Sequence, residues 1–447
     1  MTETRYTIET RERTPQSGAI PEIKMRAARL LLTFGLLLVA LGGFALSPKE
    51  AIDRFAASRG ITPGSTAVLI TDLSNGQEIV AYNDSRSLMP ASIMKSVTAA
   101  SLLEKGGADR RWETKVYIDG PVDRGGVLDG NLVIVGSGDP ALGTDREPLD
   151  GDFIGEILAA LKEKKITGIK GQVIIDDSYF TGPAVPPSWA SGDLSTYYGT
   201  GVHGFNFERN ASGKKSISNP AGVFTSRLKS RLALAGINIG GEKTGGHKKN
   251  LLVTHRSPSF EDVMRSCMMR SDNMYAESML RTFGRLSGGE GDVAGSAALE
   301  TEFWKRKRAP LEGVSIVDGS GLSRQNRVTA RFMDYVLSAM KDNVEYASFF
   351  PLAGQEGTLK NFLASTELEA YVAMKTGSMN GIQCYAGYVL DDDFAPTHSV
   401  VFIMNSLKDR TAARRSAEQL LLDLFAKTPA AAAAEGAALG DDTAPED

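Results

Sequence analysis

A serine and a lysine three positions apart, Ser92 and Lys95, could together carry out nucleophilic catalysis. A serine hydroxyl attacks poorly until a neighbouring base accepts its proton, and positions i and i+3 share one face of a helix. The same spacing recurs in the segments Ser212–Lys215 and Ser226–Lys229. The spacing by itself therefore does not select the nucleophile.

Two later motifs distinguish the Ser92–Lys95 pair from the other two Ser-x-x-Lys pairs. Ser271-Asp272-Asn273 lies in a stretch with helical spacing, and Lys375-Thr376-Gly377-Ser378 ends an apolar strand. A second Lys-Thr-Gly, at Lys243–Gly245, falls in a Gly- and Lys-rich loop and is interpreted as a solvated turn. Only the set that begins with Ser92 has the order helix-start Ser-x-x-Lys, helical Ser-x-Asn and strand-end Lys-Thr-Gly. This order predicts a serine acyl-transfer site.

The predicted base must lose its charge before it can act. A free lysine has a pKa of about 10.4, and bringing Lys95 to about 7 costs roughly 4 to 5 kcal/mol. Burial and a nearby second cation both lower a lysine pKa. Lys375 is the candidate for that second cation.

Composition and the histidines argue against other classes of site. The formal net charge of −4 and the pI of 5.8 predict no broad basic surface for nucleic acid. A Ser-His-Asp site lacks its Gly-x-Ser-x-Gly elbow before a helix, since His247 and His255 lie in a polar linker and His203 is interpreted as a structural or surface residue. No cluster of Cys, His and carboxylates has metal-ligand spacing, so no metal or cofactor is implied.

The elements around the motifs predict more than one domain. A hairpin is expected over Thr66–Tyr82, and a helix over Ala91–Glu104 has Ser92 at or near its start. From Trp112 to His255 the chain has short β-type runs with one amphipathic helix around Phe153 to Lys164. Three strands and a final helix follow, at Tyr371–Lys375, Gln383–Leu390, Ser399–Asn405 and Ala412–Ala426.

The expected domain boundaries follow these changes in pattern. A discontinuous catalytic domain takes residues 47–105 and 256–426, and an inserted α+β domain takes residues 106–255. Residues 427–447 are Ala-rich and then acidic, which is typical of a disordered tail. Residues 1–24 form a polar extension that is either disordered or spurious.

An export signal is predicted at residues 25–46. Basic residues precede an uncharged apolar run, and Gly43 and Ala45 provide the small residues for cleavage after Ala45. A retained anchor, which usually needs a longer apolar span, is the alternative. We therefore expect an exported, periplasmic or cell-envelope protein whose signal is cleaved.

The chain has two cysteines, Cys267 and Cys384. Export would permit one disulfide bond between them, and two small buried apolar residues is the other interpretation. Both interpretations stay open at this point.

The ordered motifs resemble those of the penicillin-recognising serine enzymes. Further stretches narrow the resemblance to the D-Ala-D-Ala carboxypeptidases and endopeptidases called class C low-molecular-mass penicillin-binding proteins. These stretches lie within Gly130–Pro140, Ile175–Phe180 and Asp318–Arg324, and the similarity spans about residues 50 to 426. It implies an α+β fold: a penicillin-binding, serine β-lactamase-like transpeptidase domain with an antiparallel sheet and flanking helices, carrying an inserted β-rich domain.

The resemblance also implies a role for each motif residue. Ser92 attacks the substrate carbonyl, Lys95 accepts its proton, and Ser271 relays a proton to the departing D-alanine amine. Asn273 holds the substrate amide and Lys95. The other assignments are Lys375 and Thr376 to the terminal carboxylate, Gly377 to the same substrate-binding segment, and the backbone N–H groups of Ser92 and Ser378 to the oxyanion hole.

Three further residues are implied to select the substrate. Asp176 and Arg324 match family positions that contact the free amino and carboxylate ends of a diaminopimelate side chain, and Asn380 matches a position that often carries Gln. The alternatives are that Asp176 caps a turn and that Arg324 forms a surface ion pair. The expected partners are peptidoglycan stem peptides, with β-lactam antibiotics as covalent inhibitors.

Two other functions stay open. A β-lactamase or esterase could use the same site, and it would hydrolyse a penicillin acyl-enzyme rapidly. An inactive cell-wall-binding scaffold would need none of the five polar motif residues, whose joint presence argues against it. The pattern does not separate carboxypeptidase from endopeptidase action, because both bonds present a D-amino-acid carbonyl to the same serine, and it leaves the oligomeric state open.

Overall fold

The computed structural model describes residues 46–148, 150–242 and 248–426. The predicted signal before Leu46, the second Lys-Thr-Gly, His247 and the C-terminal tail all lie outside these residues. Within the described residues, no helix has the length and apolar character needed to cross a bilayer.

The helices and strands are numbered in chain order. The helices are α1 (Pro48–Ala57), α2 (Met94–Gly106), α3 (Phe153–Glu163), α4 (Pro220–Leu234), α5 (Phe260–Arg270), α6 (Asn273–Leu286), α7 (Val293–Arg306), α8 (Ala330–Ala339), α9 (Val344–Ser348) and α10 (Arg410–Phe425). The strands are β1 (Thr66–Asp72), β2 (Glu78–Tyr82), β3 (Glu113–Asp119), β4 (Val127–Leu128), β5 (Asn131–Val135), β6 (Gly168–Ile169), β7 (Val173–Asp176), β8 (Ala211–Ser212), β9 (Lys215–Ser216), β10 (Asn238–Ile239), β11 (Lys249–Arg256), β12 (Val372–Met379), β13 (Ile382–Leu390) and β14 (Pro396–Met404).

The strand that carries the Lys-Thr-Gly motif is the edge of a five-stranded antiparallel sheet. The strand order is β12-β13-β14-β1-β2, so the first strand of the chain pairs with the last. Apolar side chains point to both faces of this sheet. One face packs on α1 and α10 through residues such as Phe55 and Leu421, and the other packs on α2, α5, α6 and α8.

The segment between α2 and α5 forms its own hydrophobic cluster. Strands β11, β3, β5 and β7 make one sheet, and short parallel strands β10, β6 and β4 make another. Helices α3 and α4 pack here through Phe153 and Phe224, whose rings stack 5.4 Å apart. The β-type runs of the sequence are thus strands, whereas the domain division at residues 106–255 stays a prediction.

The expectation of one helix in this segment was wrong, because α4 is a second. Its apolar residues Phe224, Leu228 and Leu232 recur every fourth position and are fully buried, while Asn219 caps its first turn. Such a narrow stripe, surrounded by basic and hydroxyl side chains, gives little amphipathic signal.

Candidate active site

Ser92 lies in a single 3₁₀ turn, Ala91–Ile93, that leads directly into α2. Ala91 has a φ of 47°, a conformation uncommon for a residue with a side chain. Two glycines pack against this turn. A Cβ at Gly321 would lie 1.8 Å from the Ala91 carbonyl oxygen, and one at Gly377 would lie 3.1 Å from the Ser92 nitrogen. Glycine at both positions therefore allows two distant segments to hold the serine turn.

Lys95 is completely buried beneath Ser92. Its Nζ lies 2.9 Å from Ser92 Oγ, 2.7 Å from Asn273 Oδ1 and 2.7 Å from the carbonyl oxygen of Ser320. Burial lowers the pKa of Lys95 from its ordinary value, although nearby acidic groups oppose this. The structure thus places an amine of lowered pKa within hydrogen-bond distance of the serine hydroxyl.

A second buried lysine contacts the other serine of the site. Lys375 Nζ donates to Ser271 Oγ at 3.0 Å and to the carbonyl oxygen of Thr376 at 2.8 Å. Burial lowers the pKa of Lys375 well below its ordinary value, and the charge of Lys95 lowers it further. Because two buried cations repel, the pair favours a state with a single charge.

Ser271 and Asn273 occupy a break between two helices. Ser271 ends α5 in the left-handed conformation, with φ 58° and ψ 44°, and Asp272 caps the first turn of α6. The sequence predicted a continuous helical stretch here. The break turns the Ser271 hydroxyl toward Lys375 while Asn273, the first residue of α6, faces Lys95.

Residues of the segment between β7 and β8 hold this break in place. Arg209 forms an ion pair with Asp272, and both side chains are largely buried, at 13% and 5% exposed. The carbonyl oxygen of Tyr198 accepts a hydrogen bond from Asn273 Nδ2 at 2.8 Å. Sequence reasoning missed both contacts, because a lone arginine and a backbone carbonyl carry no motif.

Two buried carboxylates beneath the site were also missed. Glu277 accepts a hydrogen bond from the Ser320 N–H at 2.8 Å, and burial together with the charge of Asp318 raises the pKa of Glu277 to about 7. Asp318 accepts hydrogen bonds from the N–H groups of Gly321 and Ser323, at 2.8 and 2.6 Å. These carboxylates fix the turn whose Ser320 carbonyl contacts Lys95. The sequence offered one indication of Asp318, because it lies in the stretch Asp318–Arg324 that resembles the family.

The Ser378 N–H points away from β13. On that side of β12, Met374 N donates to Pro351 O at 3.2 Å and Val372 O accepts from Ala353 N at 2.8 Å. Backbone groups alternate in direction along a strand, so Ser378, four residues after Met374, presents its N–H on the same side.

A cleft of about 670 Å³ opens over these groups. Ser92, Ser271, Thr376 and Ser378 line one end of it. Thr376 Oγ1 donates to Thr358 Oγ1 at 2.7 Å, which ties the β12 edge to the wall opposite. The cleft continues to the start of α10, a region that the sequence did not single out.

Asp176, Arg324 and Asn380 do not line this cleft within the described part of the chain. Asp176 accepts hydrogen bonds from the Ser178 N–H at 3.1 Å and the Ser178 hydroxyl at 2.5 Å, which is the turn-capping alternative. Arg324 is exposed, and Asn380 is exposed in the turn between β12 and β13. Their roles in substrate selection stay predictions.

The competing Ser-x-x-Lys pairs are exposed, one on the β8–β9 hairpin and the other on α4.

His255 is not in a polar linker as expected. It is buried in β11, where its ring nitrogens lie 2.9 Å from the carboxylates of Asp150 and Glu156. Cys267 and Cys384 are free and buried, so the disulfide alternative is wrong.

Comparison with known proteins gives concordant matches. A family model described as the D-Ala-D-Ala carboxypeptidase 3 (S13) family matches residues 49–215 and 208–425. The D-alanyl-D-alanine carboxypeptidase of Actinomadura sp. (strain R39) is 25% identical over 462 residues, which cover 84% of each chain. Carboxypeptidase Rv3627c of Mycobacterium tuberculosis is 29% identical over 363 residues, which cover 76% of each chain.

The fold matches a solved structure over nearly the whole length of that structure. Penicillin-binding protein 4 (dacB) of Haemophilus influenzae superposes with a TM-score of 0.73 at 20% sequence identity, covering 85% of this chain and 99% of that chain. This likeness confirms the expected fold class.

Proposed function

The chain belongs to the D-Ala-D-Ala carboxypeptidase 3 (S13) family, and we propose that it is a serine DD-peptidase that acts on peptidoglycan stem peptides through an acyl-enzyme on Ser92. The observation that carries this proposal is the 2.9 Å contact between Ser92 Oγ and the fully buried Nζ of Lys95. The same acyl-enzyme chemistry would serve both carboxypeptidase and endopeptidase action.

Acylation begins with proton transfer from Ser92 to a neutral Lys95. The Ser92 oxygen bonds to the carbonyl carbon of the D-Ala-D-Ala peptide, and the oxyanion is held by the N–H groups of Ser92 and Ser378. The C–N bond then breaks, and the departing amine takes the proton of Lys95 by relay through Ser271, which leaves Lys95 neutral again. Lys375 supports this step, since it donates to Ser271 Oγ at 3.0 Å.

Deacylation uses the same groups in reverse. Water attacks the ester carbonyl and gives its proton to Lys95, which returns it to the Ser92 oxygen as the C–O bond breaks. In the preceding acylation step, before D-alanine departs, Lys375 and Thr376 hold the terminal carboxylate of the substrate at the β12 edge.

A labelled penicillin tests the assignment, because the β-lactam amide mimics the scissile bond. The label should map to Ser92, and Ser92→Ala should take up none. Ser212→Ala and Ser226→Ala serve as matched controls and should label fully. A label on either of those serines, or an acyl-enzyme that is hydrolysed as fast as it forms, would refute a DD-peptidase centred on Ser92.

Export to the cell envelope is part of the proposal, because its substrate lies there. We propose a signal at residues 25–46 that is cleaved after Ala45. N-terminal sequencing of the exported protein should begin near Leu46. A mature chain that still carries residues 30–45 would instead be an anchored enzyme.

A further inference from the structure

The active-site cleft extends well beyond the groups that the proposed reaction uses. Clefts of about 300 to 1,000 Å³ hold ligands of drug size, and this one measures about 670 Å³. A released D-alanine would fill only a small part of it. The remaining part ends at three cationic side chains, Lys408, Arg410 and Arg414.

These cations belong to the beginning of α10 and the residues before it. Lys408 and Arg410 are exposed and form no ion pair with any other described residue. Arg414 is half-buried, donates to the carbonyl oxygen of Asn361 at 3.3 Å and forms an ion pair with Glu418 at 3.8 Å. Among the described residues that line the cleft, Asp409 is the carboxylate of this wall, and it accepts the Ala412 N–H at 3.0 Å as the cap of α10. Three cations thus face two carboxylates, so the wall keeps a net positive charge, and Lys408 and Arg410 carry it.

The sheet shows where this wall lies relative to the scissile bond. Thr376 pairs with Tyr385, and Ser378 pairs with Gln383, so these four side chains share one face of the sheet. All four line the cleft. The cleft floor thus runs from β12, where the substrate carboxylate is held, across β13 to α10. The cationic wall lies beyond the carboxylate, on the side of the leaving group.

We infer that Lys408, Arg410 and Arg414 form a subsite for a leaving group that is itself an anionic peptide, namely the acceptor stem of a peptidoglycan crosslink. This inference rests on the proposed function and assigns its substrate class. A crosslink presents a second peptide, with further carboxylates, where a pentapeptide presents only D-alanine. The subsite therefore favours cleavage of crosslinks over removal of terminal D-alanine.

The test compares two substrates on one enzyme. Purified crosslinked muropeptide dimers and a monomeric pentapeptide are hydrolysed by the wild type and by Lys408→Ala/Arg410→Ala, in which both changed residues are exposed. The ratio of kcat/KM for crosslink cleavage to that for D-alanine release should fall at least tenfold. Arg415→Ala is the matched control, because it removes a neighbouring exposed cation of α10 that does not line this cleft.

Salt gives a second readout, since contacts between exposed charges weaken as ionic strength rises. Wild-type crosslink cleavage should lose rate with added salt more steeply than D-alanine release. An unchanged ratio in the double variant would overturn the subsite. Failure of the wild type to hydrolyse either substrate, or to acylate with penicillin, would instead refute the proposed function.

Discussion

Arg209 reaches from the segment between β7 and β8 to form an ion pair with Asp272, the residue between Ser271 and Asn273. The polar groups of the second motif therefore depend on a residue that lies more than 60 positions earlier in the chain. Removal of one partner of a buried pair leaves an uncompensated charge, which costs about 3 to 5 kcal/mol.

We expect Arg209→Ala to lower both the free energy of unfolding and the rate of penicillin acylation. Asp272→Asn keeps a residue that can cap α6 but removes the charge. The double variant Arg209→Ala/Asp272→Asn should therefore be more stable than Arg209→Ala, as measured by urea unfolding. A double variant no more stable than Arg209→Ala would mean that the ion pair does not position the turn.

The pH dependence of the acylation rate should report the protonation state of Lys95. In the proposed mechanism Lys95 acts only when neutral, and burial lowers its pKa, so the acylation rate should rise with pH and level off below the value of about 10.4 for a free lysine. Stopped-flow acylation by a chromogenic β-lactam measures the profile. A rate that still climbs at pH 10 would contradict the assignment of Lys95 as base.

Lys95→Arg is the companion variant. A guanidinium keeps its proton at any usable pH and cannot serve as a base. We expect no acylation, with retention of the fold checked by circular dichroism. Lys229→Arg, in the exposed motif copy on α4, should acylate like the wild type.

Stability should depend on His255 at mildly alkaline pH. Burial alone would lower its pKa, but hydrogen bonds and charges from Asp150 and Glu156 outweigh this and raise the pKa to about 9. A pKa above the unfolded value of about 6.5 means that the stabilisation is complete below that pH and is lost as pH rises through 9. The contribution is on the order of 3 kcal/mol.

Urea unfolding of the wild type and of His255→Gln/Asp150→Asn across pH 6 to 10 tests this. Their difference in unfolding free energy should be largest at the acidic end and shrink toward pH 10. A difference that is independent of pH would show that His255 is not protonated in the folded protein.

The exposed Arg324 is expected to select substrates that carry a diaminopimelate side chain. If Arg324 grips the carboxylate of a diaminopimelate side chain, Arg324→Ala should lower kcat/KM for such peptides by about 1 to 3 kcal/mol while sparing a minimal D-Ala-D-Ala ester. Equal losses on both substrates would mean that Arg324 supports the fold or the serine site. Asp176→Asn, assayed in the same way, tests the contact with the amino group.

The sequence predicted the side chains that meet in the candidate site better than the residues that hold them in place. Ser92 and Lys95 lie within one turn of each other, so their contact follows from helix geometry, and the order of the motifs distinguished them from two exposed copies. The contacts of Arg209 and Glu277 join segments far apart in the chain. Nothing in a local pattern encodes such contacts, because tertiary packing alone brings the partners together.

Helix α4 and His255 show the same limit for the fold. The buried stripe of α4 is one residue wide per turn, and the polar neighbours of His255 suggested a linker, although β11 buries its ring. In the sequence, Lys408 and Arg410 are simply two cations close together, and no motif marks them. Only the folded sheet, in which β13 lies between them and β12, shows that they line the end of the cleft.

The pairing of β1 with β14 has a consequence for how the molecule is made. Thr66 is opposite Met404, so the central strand pair cannot form until almost the whole chain is available. Contacts between such distant residues form slowly, because a long loop must close first. Until then β1, whose first six residues are all buried in the finished sheet, can pair only with β2, and its other edge is an unpaired apolar strand edge prone to aggregation. A truncation before residue 396 should therefore yield an insoluble product, not a smaller enzyme.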